Sequence, residues 1–245
     1  MTVSTRILDN YRSLGELTPA ARDAIGQSGR EVEFRLGERL IPLGQPPERL
    51  LILTQGLAKL VGISMNGHER ILNMHRPPDM VGCSVLMECP QNEHEVTAMT
   101  RVRALSISRR DLLHVSRTHP SVILALAREV SRQLLAMTER LMTVTSSEVP
   151  VRLSQLLLEL ADGNGGDREA LVPLTYPLTH ESMAQIIGAS RPHTSSVLRD
   201  LENRGAVQRG SRSKLLVRPS RLANIVGNGR LETPVRRNGS LQLSA

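Results

Sequence analysis

The run from Thr179 to Arg218, THESMAQIIGASRPHTSSVLRDLENRGAVQRGSRSKLLVR, constrains this chain most, because its apolar spacing, breaker and caps fall in the order that two short packed helices require. Met183, Ala184, Ile186 and Ile187 recur at helical spacing, Gly188-Ala189-Ser190 interrupts the period, and Val197, Leu198 and Leu201 resume it. Gly188 can adopt the left-handed conformation that closes the first helix. Ser190 is placed to cap the second, where Pro192 in the first turn removes no intrahelical donor. The pattern predicts a helix-turn-helix followed by a short basic hairpin.

Charge points the same way independently. Residues 181–245 hold eleven Lys+Arg against four Asp+Glu, a net of +7, while residues 1–180 hold twenty of each and balance. Neutralising a phosphate backbone needs a concentrated basic face, and Arg191, Arg199, Arg209, Arg212 and Lys214 gather around the helix-turn-helix pattern. A merely solvated basic surface, or a membrane-attracted one, would spread its cations along an amphipathic stripe instead. Tyr11, Phe34 and Tyr176 are the only aromatic residues, too few to stack single-stranded bases, so duplex DNA is the expected partner.

No apolar run is long enough to span a bilayer, and MTVSTRILDN lacks the apolar core of a secretory signal, so a cytoplasmic protein without membrane association is expected. The two cysteines, Cys83 and Cys89, are too few for a disulfide framework or a four-thiolate metal site. No nucleophile and base, and no convincing carboxylate pair, shares a pattern; Glu93 and Glu95 alternate on a presumed strand, but nothing joins them, and an enzyme is not expected.

With 245 residues the chain has room for two domains. Thr18 to Gln27 reads as a capped helix. From Val32 to Ile107, short β-prone pieces alternate with turn signals at Gly37, Gly44, Gly56, Asn66-Gly67 and Pro77-Pro78, which suggests a compact all-β roll. After His119-Pro120 a long helix is predicted to about Ser147. Ile123, Ala127, Val130, Leu134, Met137, Leu141 and Val144 alternate in steps of four and three, the period of a two-helix seam, so a homodimer is expected. A second row, Leu124, Leu135 and Met142, is assigned to packing on the helix's own domain. Ser147 to Pro150 marks a hinge. The reading is therefore α+β: a sensor roll over 1–117, a dimerisation helix over 118–148, a DNA-binding domain over 149–225 and a disordered tail over 226–245.

A jelly-roll-like β-roll, a long helix and a C-terminal winged helix-turn-helix in this order resemble the CRP/FNR family of bacterial transcription regulators. The likeness runs from about Leu17 to Ile225 and is densest at Thr179, Ala184, Gly188, Ser190-Arg191, Leu198, Leu201-Glu202 and Gly205, with Gly37, Gly44, Gly56 and Gly82 fitting the roll. It implies a cyclic-nucleotide-binding-like domain, an allosteric signal acting through the hinge, a near-palindromic operator and RNA polymerase as a partner. Arg191, Ser195, Ser196 and Arg199 become candidates for base edges and nearby phosphates. Thr179, His180 and His193 become candidates for the DNA backbone, Arg209, Arg212 and Lys214 for the wing, and Ser190 is counted with the DNA-binding residues.

The departures from the family pattern matter as much. Where the family commonly shows Ser-Arg-Glu-Thr-Val-Ser-Arg on its recognition helix, residues 190–196 read SRPHTSS, so Pro192 and Ser196 replace a Glu and an Arg that would read cytosine and guanine. An unusual operator follows. In cyclic-nucleotide-binding relatives a Gly-Glu-Leu segment takes the ribose and an Arg-Ser/Thr-Ala segment the phosphate. Here these become Gly82-Cys83-Ser84 and Asn92-Glu93-His94-Glu95, which predicts no ordinary cyclic AMP binding. Iron-sulfur relatives need an N-terminal cysteine cluster, and no cysteine precedes Cys83. His75, Cys83, Cys89, His94 and Met137 remain as candidate effector residues, for haem, for a thiol redox switch or for another small ligand.

Overall fold

The computed structural model describes residues 14, 16–63, 69–87, 91–161, 169–210 and 214–227. The turn at Asn66-Gly67, Cys89 and Arg212 lie outside the described residues. The chain divides into two compact units, Met1–Met142 with Ala184–Gly188, and Thr143–Met183 with Ala189–Ala245.

The first unit begins with helix α1 (Pro19–Ser28), whose N-cap Thr18 accepts from the Ala21 amide as its sequence predicts. Eight strands follow: β1 (Gly29–Phe34), β2 (Arg39–Ile41), β3 (Arg49–Gln55), β4 (Ala58–Ile63), β5 (Glu69–His75), β6 (Met80–Val81), β7 (Glu95–Ala98) and β8 (Val102–Ser108). They form two antiparallel sheets, ordered β1-β8-β3-β6 and β2-β7-β4-β5. The unbroken apolar run of β3 is explained by burial on both faces. Leu50 and Ile52 join a core with α1 and later helices, while Leu51 and Leu53 join the core that holds Leu40, Val96 and Ala98 of the second sheet. Each of these four is at most 1 % exposed, so each contributes about 1.5–3 kcal/mol of transfer free energy. Register on β8 obeys the same alternation, with Leu105 and Ile107 facing the helices and Val102 and Ala104 the sheet.

Helix α2 (Arg109–Thr118), not foreseen from the sequence, is capped by Ser108 and closes the roll. The long helix α3 (Ser121–Ser146) then runs as predicted. It packs on its own domain through Val122, Ala125, Leu126 and Glu129. The assignment of Leu124, Leu135 and Met142 to that job is therefore corrected: they are 54 %, 66 % and 61 % exposed. At 100° per residue they project roughly opposite the packed face, which apolar spacing alone could not reveal.

The second unit contains α4 (Val149–Leu160), preceded by Glu148 at its N-cap. A three-stranded sheet of β9 (Val172–Pro173), β10 (Val207–Arg209) and β11 (Leu215–Val217), in the order β10-β11-β9, accompanies helices α5 (His180–Ile187) and α6 (Arg191–Asn203). A final helix α7 (Pro219–Gly227) packs against α4 and buries Leu222. It carries helical structure two residues into the expected tail; the remainder of that tail lies outside the described residues.

Candidate functional site

The helix-turn-helix forms as its caps dictate. Thr179 Oγ1 accepts from the Ser182 amide at 3.0 Å and so opens α5. Gly188 has φ +66°, and Ser190 Oγ accepts from the His193 amide at the start of α6. On α6, Thr194, Val197, Leu198 and Leu201 are buried, while Arg191, Pro192, His193, Ser196 and Arg199 are exposed. Four of the residues expected to meet DNA, Arg191, His193, Ser196 and Arg199, thus lie on the exposed side of α6. Ser195 is partly exposed, and its hydroxyl lies 2.9 Å from Nδ1 of His180. Thr179 and Ser190 use their hydroxyls to cap α5 and α6.

The basic hairpin is β10 and β11, antiparallel with Arg209 opposite Leu215. Arg209 donates from Nε to Glu202 Oε1 at 2.8 Å, an exposed pair that ties the first wing strand to the recognition helix. Lys214 is exposed at the foot of β11. Sequence reasoning gave Arg209 to DNA and did not pair it with Glu202, seven residues earlier on the last turn of α6.

In the roll, Gly82 begins the 3-10 turn Cys83–Leu86 with φ +83°, and a Cβ there would come 2.5 Å from the Arg49 carbonyl oxygen. This turn borders a cavity of about 300 Å³. His75, Cys83, His94 and Met137 all line it, so four of the five predicted effector residues meet there. Asn92, 5 % exposed, accepts from Ser84 Oγ at 2.8 Å and donates to the Pro42 carbonyl at 3.3 Å, which fixes the cavity rim. Glu93 lines the cavity, but Glu95 pairs with Arg39 at 2.7 Å at the start of β7. The two carboxylates therefore do not act together.

Behind the cavity lies a polar network that the sequence did not disclose. Glu129, 2 % exposed, accepts from Arg132 Nη2 at 2.6 Å and from Gln133 Nε2 at 2.8 Å. Arg132 also bonds Asp79 Oδ1 at 2.8 Å, and Gln133, which lines the cavity, donates to the Met80 carbonyl at 2.9 Å. Burial alone would raise the Asp79 carboxyl. The facing His75 ring, the Arg76 amide and Arg132 outweigh it and hold the group below its ordinary value. Burial, reinforced by Glu129, pushes the Cys83 thiol up to about 11. The one detectable signal was a charged i, i+3 pair, Glu129 and Arg132, placed in phase with the packed residues of α3.

Among the described residues no group of three His, Cys, Asp or Glu could hold a metal ion, and no helix is long and apolar enough to cross a membrane.

Comparison with known proteins follows the same two parts. Residues 31–119 match the cyclic nucleotide-binding domain and residues 151–225 the Crp-like helix-turn-helix domain. The chain is 30% identical over 205 residues to a CRP-like cAMP-activated global transcriptional regulator of Mycobacterium tuberculosis, covering 84% of this chain and 92% of the relative. It is 27% identical to a cyclic AMP receptor protein of Thermus thermophilus, over 76% of this chain and 87% of the other. The solved structure of FixK2 from Bradyrhizobium japonicum shares the fold, with a TM-score of 0.69 at 18% identity and coverage of 80% of this chain and 96% of that one. Fold and reading head together define a transcription regulator with a DNA-binding helix-turn-helix and a cyclic nucleotide-binding domain. The chain belongs to the CRP/FNR family.

Proposed function

We propose that this regulator is a cytoplasmic homodimer that reads a near-palindromic operator and answers to an effector other than cyclic AMP. The observation that carries the DNA reading is the exposed face of α6, where Arg191, Ser196 and Arg199 stand clear of the buried Thr194, Val197, Leu198 and Leu201. Two such helices about 34 Å apart would enter successive major grooves. Dimerisation is supported by the apolar seam of α3, which a lone subunit leaves in water: Ile123, Val130, Leu134, Met137 and Leu141 are 40–65 % exposed. RNA polymerase is the expected downstream partner.

The effector reading rests on charge. A cyclic nucleotide brings a phosphate anion, and among the described residues no Lys or Arg lines the cavity, while Glu93 does. Gln133 supplies a route from cavity to helix, since one amide group touches both the Met80 carbonyl and Glu129 of α3. An effector that bound one arrangement of this contact better than another would shift the population of DNA-competent protein. The test combines selection of bound genomic fragments at low salt, the mass of the free protein by sedimentation, and titration with cyclic AMP. Operator-selective binding by a dimer that ignores cyclic AMP supports the reading; a monomer indifferent to sequence, or tight cyclic AMP binding, refutes it.

A further inference from the structure

The His75 imidazole is 5 % exposed and lines the roll cavity, yet its Nδ1 has no hydrogen-bond partner among the described residues. Nδ1 is fully buried, and the nearest acceptor, Asp79 Oδ2, stands at 3.7 Å, beyond hydrogen-bond reach. A buried polar group left in this state is destabilising, and a ligand in the cavity can offset that cost. Gln133 shows the complementary feature. Its Nε2 is spent twice, on the Met80 carbonyl and on Glu129, which leaves its Oε1 as an acceptor on a residue of the cavity wall.

The fixed charge around this space is negative. Glu93 lines it, and Glu129 and Asp79 stand directly behind Gln133 and His75. The cation of this group, Arg132, is consumed by Glu129 and Asp79 together. The rest of the wall is soft and apolar, with Met80, Met87, Met137 and Cys83 among the lining residues. An anion entering here would lose hydration and gain no counter-charge, whereas a protonated amine would gain the field of the carboxylates.

We propose that the roll cavity is a binding site for a small, largely apolar organic amine, which donates to Gln133 Oε1 and is held by the carboxylate of Glu93, with His75 hydrogen-bonding to it. The assignment deepens the effector reading above and stands apart from the DNA reading, because its test involves no DNA.

The test uses three probes of one shape and different charge at pH 7.5: tryptamine, tryptophol and indole-3-acetate, each titrated calorimetrically into the full-length protein. The expected order of affinity is tryptamine, then tryptophol, then indole-3-acetate, with the first at least about tenfold tighter than the last. Glu93→Gln should shrink the ratio between tryptamine and indole-3-acetate several-fold while leaving tryptophol nearly unchanged, and the circular-dichroism melting curve checks that the variant folds. His75→Phe should weaken tryptamine and tryptophol alike. Equal or tighter binding of indole-3-acetate, an unchanged ratio in folded Glu93→Gln, or no saturable binding by any probe each overturns the proposal. A parallel gel shift on the same sample reports separately whether DNA binding stands.

Discussion

His180 Nδ1 and the Ser195 hydroxyl oxygen lie 2.9 Å apart, so the first residue of α5 is clamped onto the recognition helix. At 100° per residue, Ser195 falls between Arg191 and Arg199 around the axis of α6, so the contact brings the imidazole beside that face. With Nδ1 engaged, the ring's other nitrogen is the one left to meet a phosphate. His180→Ala should therefore weaken binding to all sequences by about 1 kcal/mol, roughly fivefold, with no change in base preference. Ser195→Ala should cost less, and the double variant should cost no more than His180→Ala alone, since Ser195 acts through the ring. Additive losses in that cycle, measured by fluorescence anisotropy, would show that the two residues act separately.

Arg191 and Lys214 should separate into base reading and phosphate binding. Arg191 is exposed in the first turn of α6, the end that enters the major groove in this motif. Arg191→Ala should cost about 1–3 kcal/mol on the best operator and less on mismatched ones, so that selectivity falls. Lys214→Ala should weaken every sequence alike and reduce the salt slope by about one. Binding titrations across a salt series on matched and scrambled fragments distinguish the two patterns.

The elements that were legible in the sequence are those with local signals. The caps Thr18 and Ser190, the positive-φ Gly188, and the buried Met183, Val197 and Leu201 each follow from chemistry within a few residues. What escaped depends on distance in the chain. The Glu129, Arg132 and Asp79 network joins positions about fifty residues apart, and no periodicity announces it. The packed face of α3 was assigned to the wrong row for a related reason. Leu124, Leu135 and Met142 look like core by hydrophobicity, while the true contact surface includes small Ala125 and charged Glu129. Helical spacing places Ser195 beside Arg191 and Arg199, but spacing does not reveal its contact with His180, fifteen residues earlier.

Asp79 makes stability depend on acid. Its folded-state pKa lies below the ordinary value near 4, so the unfolded chain binds the proton more readily. The stabilisation is fully present above about pH 4 and is lost as the pH falls through the lower folded value. Asp79→Asn should destabilise the roll at pH 7 by about 1–3 kcal/mol through loss of the Arg132 pairing. The gap between the variant and the wild type should narrow steadily below about pH 4. Urea unfolding at pH 7 and pH 3 checks both statements; a gap that widens in acid would contradict them.

Cys83 should be an unreactive thiol. With its pKa pushed up to about 11, only about one molecule in a thousand carries the thiolate at pH 8, against about a quarter for a free cysteine of pKa near 8.5. In a Cys89→Ser background, iodoacetamide should alkylate Cys83 on the order of a hundredfold more slowly than free cysteine at pH 8. The rate should still be climbing at pH 10. A rate that levels off by pH 9 would contradict the raised pKa and favour a thiol switch, which requires a lowered one.

The seam of α3 offers the sharpest test of assembly, because its residues can be changed without touching the core. Leu134 and Leu141 are 65 % and 63 % exposed in the subunit, so replacing them with Arg removes few contacts within the fold. The packed residues Val122, Ala125, Leu126 and Glu129 lie about 100° away around the helix and are left intact. If the seam pairs with a second copy, four guanidinium groups would be forced into one apolar interface, and each costs far more there than in water. Leu134→Arg with Leu141→Arg should therefore yield a folded monomer by sedimentation. Its affinity for a full operator should fall by orders of magnitude, because the two half-sites no longer share one binding event. Glu139→Lys, on an exposed part of the helix away from the seam, should leave the dimer unchanged. A double variant that stayed dimeric with normal operator affinity would move the dimer contact to another surface.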